Sequence, residues 1–293
     1  MIVTRLPDVE SRPRRVAVGT FDGVHLGHRE VIRGADTVVT FDPHPRTVID
    51  PAGAPRLLTP FARKAELIAA LGVQELVVIS FDATLAGQSA QAFHDEVLAG
   101  GLGATHVSVG ENFRYGARAR GDTALLEADG RFAVRVVPLL EVDGEIVSSS
   151  HIRGLIAGGA LEYAGELLGA PLCMTGEVVH GDARGRTLGY PTANVVPDPA
   201  YVGPAHGVYA CRVRLPGEPG LVAAATNVGV RPQFVTGRGE LVEAYLIDWS
   251  GDLYGRQIDI YFLKRLRGEK RFASVDALVE QMARDVEDAA RPC

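Results

Sequence analysis

The residues best suited to chemistry in the first half of the chain are Gly19-Thr20-Phe21-Asp22-Gly23-Val24-His25-Leu26-Gly27-His28. They follow a short apolar run at 15–21 and open a helical pattern. Glycines let a backbone approach a ligand closely. The start of the following helix offers unpaired N–H groups and a positive dipole end to an anion. His25 and His28 are three residues apart, so both project from one face of the first turn. Beside a triphosphate their N–H groups could follow negative charge onto departing pyrophosphate, which is electrostatic stabilisation without a covalent intermediate. Two plainer readings stay open: one histidine caps or packs, or the pair binds a metal, although zinc ligands of the usual kind are not nearby.

In the second half the corresponding stretch is residues 181–194, GDARGRTLGYPTAN. Gly181, Gly185 and Gly189 suit a mobile loop lying against phosphates. Pro191 stiffens the segment that presents Thr192 and Asn194. A hydroxyl and an amide oxygen are hard ligands of the kind Mg²⁺ accepts alongside substrate phosphates. Taken alone, Pro-Thr-Ala-Asn reads as an ordinary turn, and Glu243 in the apolar run LVEAYLI reads as a solvated, outward-facing carboxylate.

The elements that must position these residues differ between the halves. Short β-rich runs at 15–21, 37–43, 75–81, 105–110 and 131–140 alternate with helical patterns at 59–72 and 89–102. The first helical pattern opens with Thr59-Pro60, an N-cap followed by proline at N1. Alternation of this kind predicts an open parallel sheet with right-handed crossovers, and its ligand site in the turns after the C-terminal strand ends. After a helical hairpin ending near Gly169-Ala170-Pro171, five strand-like runs follow at regular spacing. No long helix appears until residues 274–290, which predicts an antiparallel barrel with one terminal helix. The domain division is therefore placed at 1–169 and 170–293.

Composition narrows the class. The 293 residues are 46% apolar and 23% charged, with 34 glycines and 17 prolines, as in a globular protein rich in turns. No apolar run is long enough to span a bilayer and no signal-like stretch opens the chain, so a cytoplasmic protein without membrane association is expected. Cys173, Cys211 and Cys293 show no paired spacing, which predicts neither disulfides nor a zinc site. A net charge of −6 argues against nonspecific nucleic-acid binding. Lysine occurs only at 64, 264 and 270, and no G-x-x-x-x-G-K-[ST] is present. Phosphate charge must then be met by backbone N–H groups, Mg²⁺, histidines or arginines. Self-association is compatible with the sequence.

The motif G-x-F-D-G-x-H-x-G-H resembles the nucleotidyltransferase signature of the prokaryotic bifunctional riboflavin kinase/FMN adenylyltransferase (FAD synthetase) family. Further motifs agree in order: Thr40-Phe41-Asp42-Pro43-His44-Pro45, Gly110-Glu111-Asn112-Phe113-Arg114-Tyr115-Gly116, and Ser148-Ser149-Ser150-His151-Ile152-Arg153. Gly189-Tyr190-Pro191-Thr192-Ala193-Asn194 is similar to the family's flavokinase motif. Gly207-Val208-Tyr209, the segment from Asn227 through Arg231-Pro232, and Val242-Glu243 follow in flavokinase order, as do Asp252-Leu253-Tyr254-Gly255 and Leu266 through Phe272.

The resemblance covers roughly residues 14 to 290. It implies a Rossmann-like α/β nucleotidyltransferase domain and an antiparallel β-barrel flavokinase domain. It further implies two reactions, phosphorylation of riboflavin to FMN and adenylation of FMN to FAD, with ATP and Mg²⁺ in attendance. His25, His28 and Arg153 would act on the leaving pyrophosphate. Gly19, Phe21, Asp22, Gly23, Gly27, Ser149 and Ser150 would hold ATP, and Asn112 and Phe41 the flavin. In the kinase, Gly181, Gly185, Gly189 and Pro191 would hold ATP, Thr192 and Asn194 the metal, and Glu243 would be the general base for the ribityl hydroxyl. Three departures stand out. Ser150 occupies a usual threonine position, Gln233 another, and little more than REVIRG follows His28 for the first helix. That short helix suggests an alternative in which only the kinase is fully active. A flavin-binding regulator and a transferase acting on another phosphorylated acceptor are the remaining rivals.

Overall fold

The computed structural model describes residues 1–181, 185, 188–230 and 240–291. Asp182, Ala183, Arg184, Arg186 and Thr187 of the glycine-rich loop, the Arg231-Pro232-Gln233 segment and Cys293 lie outside the described residues. The chain divides into two compact units, Met1–Ser149 and Ser150–Cys293. Among the described residues no helix is long and apolar enough to cross a membrane.

In the first unit six strands form one sheet. They are β1 (Ile2–Arg5), β2 (Arg14–Val18), β3 (Thr37–Asp42), β4 (Glu75–Ser80), β5 (Ala104–Gly110) and β6 (Ala133–Val137). Their order is β1-β4-β3-β2-β5-β6, and every neighbouring pair is parallel. The helices are α1 (Leu26–Ile32), α2 (Pro45–Ile49), α3 (Phe61–Ala70), α4 (Ala83–Gly87), α5 (Ala90–Ala92) and α6 (Thr123–Ala128), with α5 running on as a π-helix over Phe93–Gly101. A short hairpin, β7 (Glu141–Val142) with β8 (Glu145–Ile146), follows.

Strand residues alternate between two cores. Val39, Val77 and Val107 pack with Phe93 and Leu98, whereas Val38, Leu76 and Val78 pack with Ile32 and Ile68. Both faces are covered, as a parallel sheet requires, and each enclosed valine or leucine contributes about 1.5–3 kcal/mol relative to exposure. The strand order reverses at β2, with β3 on one side and β5 on the other. The loops after β2 and β5 therefore start side by side at the carboxyl edge of the sheet.

The second unit opens with α7 (Ser149–Gly158, its first residue counted with the first unit) and α8 (Leu161–Leu168). Gly169 in the left-handed conformation terminates α8. A closed antiparallel barrel follows: β9 (Leu172–Val179), β10 (Ala193–Pro197), β11 (Gly207–Arg214), β12 (Val222–Val230), β13 (Glu240–Leu246) and β14 (Gln257–Arg267). Closure leaves no unpaired edge. The terminal helix α9 (Val275–Ala290), capped by the Ser274 hydroxyl, packs on β11, β12 and β14.

Local expectations were altered in four places. The residues after Met1 pair as β1 with β4, an edge strand too short and too exposed to carry a burial pattern. Proline-60, not Thr59, stands at the N-cap of α3, and the Thr59 N–H donates to the Asp22 carboxylate instead, at 3.3 Å. Part of the helix expected at 89–102 widens into a π-helix. Ala193-Asn194 begins a strand rather than completing a turn.

Candidate active sites

The turn between β2 and α1 is held from below. Phe21, Gly23 and Val24 have positive φ values of 49°, 92° and 44°. A β-branched residue at such a φ is strained, so the surrounding contacts must fix it. Asp22, buried, accepts from the Leu58 amide at 2.9 and 3.1 Å and from the Thr59 amide. Its own carbonyl accepts from the Ser149 hydroxyl at 2.9 Å. The Thr20 carbonyl accepts from both Thr40 Oγ1 and Lys64 Nζ, each at 3.0 Å. A Cβ on Gly19 would meet the Phe21 ring at 3.0 Å, and one on Gly27 would meet the His25 ring at 3.3 Å.

On this frame His25 is the N-cap of α1, its Nδ1 accepting from the His28 amide at 3.3 Å. An accepting Nδ1 leaves the ring proton on Nε2. The two imidazoles stack with centroids 3.5 Å apart, and Phe21 meets His28 edge-on. Capping and packing, the plainer roles open to one histidine, thus coexist with pairing. Burial, then His25, then Lys64 push His28 well below the usual imidazole range. His28 Nδ1 is buried with no hydrogen-bond partner among the described residues. The two stacked rings and the nearby Lys64 ammonium thus disfavour one another's protonation.

The loop of the 110–116 motif leaves β5 next door. Asn112 is exposed, and its Oδ1 would lie 3.3 Å from a Cβ on Gly110. Phe41, at the end of β3, packs edge-to-face on Phe81 with centroids 5.8 Å apart. Below the loop, Tyr115 is fixed by a buried chain: its hydroxyl meets His94 Nε2 at 2.5 Å, and His94 Nδ1 meets Asp129 at 2.7 Å. Arg131 completes it with Asp129 at 2.6 Å. Burial raises the Tyr115 phenol to about 12, and Arg131 followed by His94 holds Asp129 below the usual carboxylate range. Ser150 and Arg153, half a motif from Ser149, lie on α7 in the second unit.

In the barrel the decisive feature is a cross-strand row. Asn194 on β10 pairs in register with Glu243 on β13, which pairs with Asn227 on β12. Opposed residues share a face. Asn227 Nδ2 donates to Glu243 Oε2 at 3.4 Å. Asn194 is buried, and its Oδ1 has no hydrogen-bond partner among the described residues. An orphaned acceptor oxygen beside the half-buried Thr192 fits a hard cation such as Mg²⁺. Thr192, Glu243 and Asn227 line a cavity of about 830 Å³ together with Gly185, Tyr190 and Tyr245. Gly181 packs on the Asn194 amide so closely that a Cβ would lie 2.5 Å from it. Gly189 has a φ of +86°, and Pro191 is exposed.

Residues 168–292 match the family model for flavokinase (riboflavin kinase), and residues 8–151 match that for FAD synthetase. A bifunctional riboflavin kinase/FMN adenylyltransferase of Listeria monocytogenes is 38% identical over 286 residues, covering 93% of this chain and 90% of its own. Its namesake in Escherichia coli K12 is 38% identical over 283 residues, covering 92% and 90%. The chain belongs to this bifunctional family. The Bacillus subtilis member is 36% identical over 291 residues, covering 94% of this chain and 91% of its own. A crystal structure named as a macrolide-efflux protein from Streptococcus pneumoniae shares the whole fold, with a TM-score of 0.89, 32% identity and full coverage of both chains. Both the riboflavin kinase and the FAD synthetase domain are present, so the bifunctional reading prevails over the kinase-only alternative.

Several groups at these sites escaped the sequence reading. Leu278, Met282 and Val286 of α9 line the barrel cavity. Their i, i+4, i+8 spacing was visible, but such a stripe reads as ordinary core. Asp285, which carried no signal, also lines it, in a bidentate pair at 2.8–3.1 Å with Arg267 of the 266–272 motif. Lys64, one of three lysines, gave no motif signal at all.

Proposed function

We infer that each unit performs one in-line displacement, the barrel making FMN and the α/β unit converting it to FAD. In the barrel the ribityl 5′-oxygen attacks the γ-phosphorus of ATP, the bond to the β–γ bridging oxygen breaks, and ADP leaves. Glu243 receives the hydroxyl proton, and Asn227 steadies that carboxylate through the 3.4 Å contact. Thr192 and Asn194 would hold Mg²⁺, which neutralises phosphate charge when bound. The glycines at 181, 185 and 189, with Pro191, shape the phosphate loop. The single observation that carries this assignment is the Asn194–Glu243–Asn227 row on adjacent strands, whose Glu243 and Asn227 line the cavity.

In the α/β unit a phosphate oxygen of FMN attacks the α-phosphorus of ATP, and pyrophosphate leaves. His25 and His28 meet the departing charge, with Ser149, Ser150 and Arg153 assigned to the triphosphate on their motif. Gly19, Gly23 and Gly27 admit the phosphates. Phe21 and Asp22, both enclosed, act by fixing the turn. Asn112 and Phe41 serve the flavin. The domain division at 169/170 follows the end of α8, and the scattered cysteines, without paired spacing, favour a reducing, cytoplasmic setting.

The test is a time course with riboflavin, ATP and Mg²⁺, resolved by chromatography, on wild type and Glu243→Gln. Wild type should form FMN first and FAD after it. Glu243→Gln should lose about 10²–10⁴-fold in FMN formation while converting supplied FMN to FAD at the normal rate. FMN accumulating in wild type without FAD would refute the assignment of the α/β unit.

A further inference from the structure

Lys64 is a buried ammonium at the nucleotide turn that none of the motifs accounts for. It sits on α3 and is 7% exposed. Among the described residues its one hydrogen-bond acceptor is the Thr20 carbonyl, at 3.0 Å, so two of its three donors are not used there. Burial of an ammonium with so little compensation is costly and needs a reason. The groups around it supply one. Burial disfavours the Lys64 charge, Asp22 and Asp42 favour it, and the ammonium is near enough to His28 to act on its protonation. The turn is thereby gripped twice: the Leu58 and Thr59 amides, just before α3, bind Asp22, and Lys64 on α3 binds Thr20.

We propose that Lys64 is a positioning residue for adenylyl transfer, which fixes the phosphate-binding turn through the Thr20 carbonyl and brings an ammonium close to His28. The inference rests on the adenylyltransferase assignment above. Burial first, then His25, disfavours a proton on His28, and the Lys64 ammonium adds its repulsion to that bias. An arriving triphosphate reverses that balance. The histidine pair then gains positive character only when the anion is bound, and no charge has to be solvated in the buried corner beforehand. The fixed hydrogen bond also holds Phe21 and Val24 in their strained backbone conformations, which a free loop would leave.

Three variants of the full-length protein separate these effects. Lys64→Met removes both hydrogen bond and charge, Lys64→Gln keeps a donor without the charge, and Lys64→Arg keeps the charge. The readouts are KM for ATP in FMN-to-FAD conversion, and the His28 titration followed by NMR of ¹⁵N-histidine-labelled protein, assigned with His28→Asn. Lys64→Met should raise KM about tenfold, the size expected for a lost charge-assisted hydrogen bond, and should shift the His28 titration upward. Lys64→Gln should shift the titration upward with a smaller rise in KM, and Lys64→Arg should leave the titration low. Lys64→Arg, which changes the packing but keeps the charge, separates a charge effect on the titration from one of altered burial. Should Lys64→Met fail to fold, the Gln and Arg pair decides the matter, since they differ in charge and both donate. Unchanged KM and unchanged titration in Met or in Gln would overturn the inference. Absence of FAD formation by the wild type would instead overturn the assignment it rests on.

Discussion

Replacing Gly181 by alanine should silence the kinase and spare the adenylyltransferase. The added Cβ would lie 2.5 Å from Cγ and Nδ2 of Asn194 and 2.6 Å from Oδ1, so the whole amide group is in the way. Opening that contact to an ordinary 3.4 Å requires about 0.9 Å of movement. The Asn194 backbone has no slack, because it is paired in register with Val179 on one side and Glu243 on the other. The side chain must therefore swing, and its orphaned Oδ1 leaves the position proposed for Mg²⁺. A misplacement of about 1 Å at a reacting centre costs on the order of 10²-fold, or about 2.7 kcal/mol in the barrier. Gly181 itself has an ordinary φ, so an alanine there brings no backbone strain to confuse the result. The assay is initial FMN formation from riboflavin and ATP, with FAD formation from supplied FMN measured on the same preparation and circular dichroism melting as the fold control. A kinase rate within about threefold of wild type, with the fold intact, would show that the Gly181 segment yields rather than Asn194 and would refute the reasoning.

Other perturbations test other parts of the molecule. Removing the Tyr115 hydroxyl in Tyr115→Phe leaves His94 Nε2 without its buried partner and should cost about 1–3 kcal/mol, read as lost hydrogen-exchange protection in β5 and raised KM for FMN. Asp129, held below its usual range by Arg131 and His94, stabilises the α/β unit at neutral pH; that contribution should persist down to about pH 4 and fade below it, and be missing in Asp129→Asn at pH 7 by denaturant titration. His28 works in the opposite window: its folded-state pKa is depressed, so the unfolded chain takes up the proton first and the unit should lose stability as pH falls below about 6.5, a slope that His28→Asn should flatten. In the barrel, Asp285→Asn strands Arg267 beside the cavity and should destabilise the unit by about 3 kcal/mol while raising KM for riboflavin, with ATP-to-FAD chemistry on supplied FMN unchanged.

The sequence by itself determined the class of each half, because periodicity and turn chemistry are local. Valine-rich runs separated by helical patterns can bury both faces of a sheet only as parallel strands, and those at 37–42 and 75–80 do so. It also determined which residues are chemically suited to phosphates, since the His25–His28 spacing and the glycines around it are read from ten consecutive letters. Tertiary structure alone decided which of those letters face outward and which hold the others. Asp22 looks like a ligand in the sequence, yet its carboxylate is spent on the amides of Leu58 and Thr59, 36 and 37 residues away. Lys64 carries no motif and is drawn to Thr20 by the packing of α3. Asn194, Glu243 and Asn227 become neighbours through barrel register, in which a one-residue slip would turn Glu243 to the opposite face. Those placements depend on contacts between residues far apart in the chain, whose energies no local window contains.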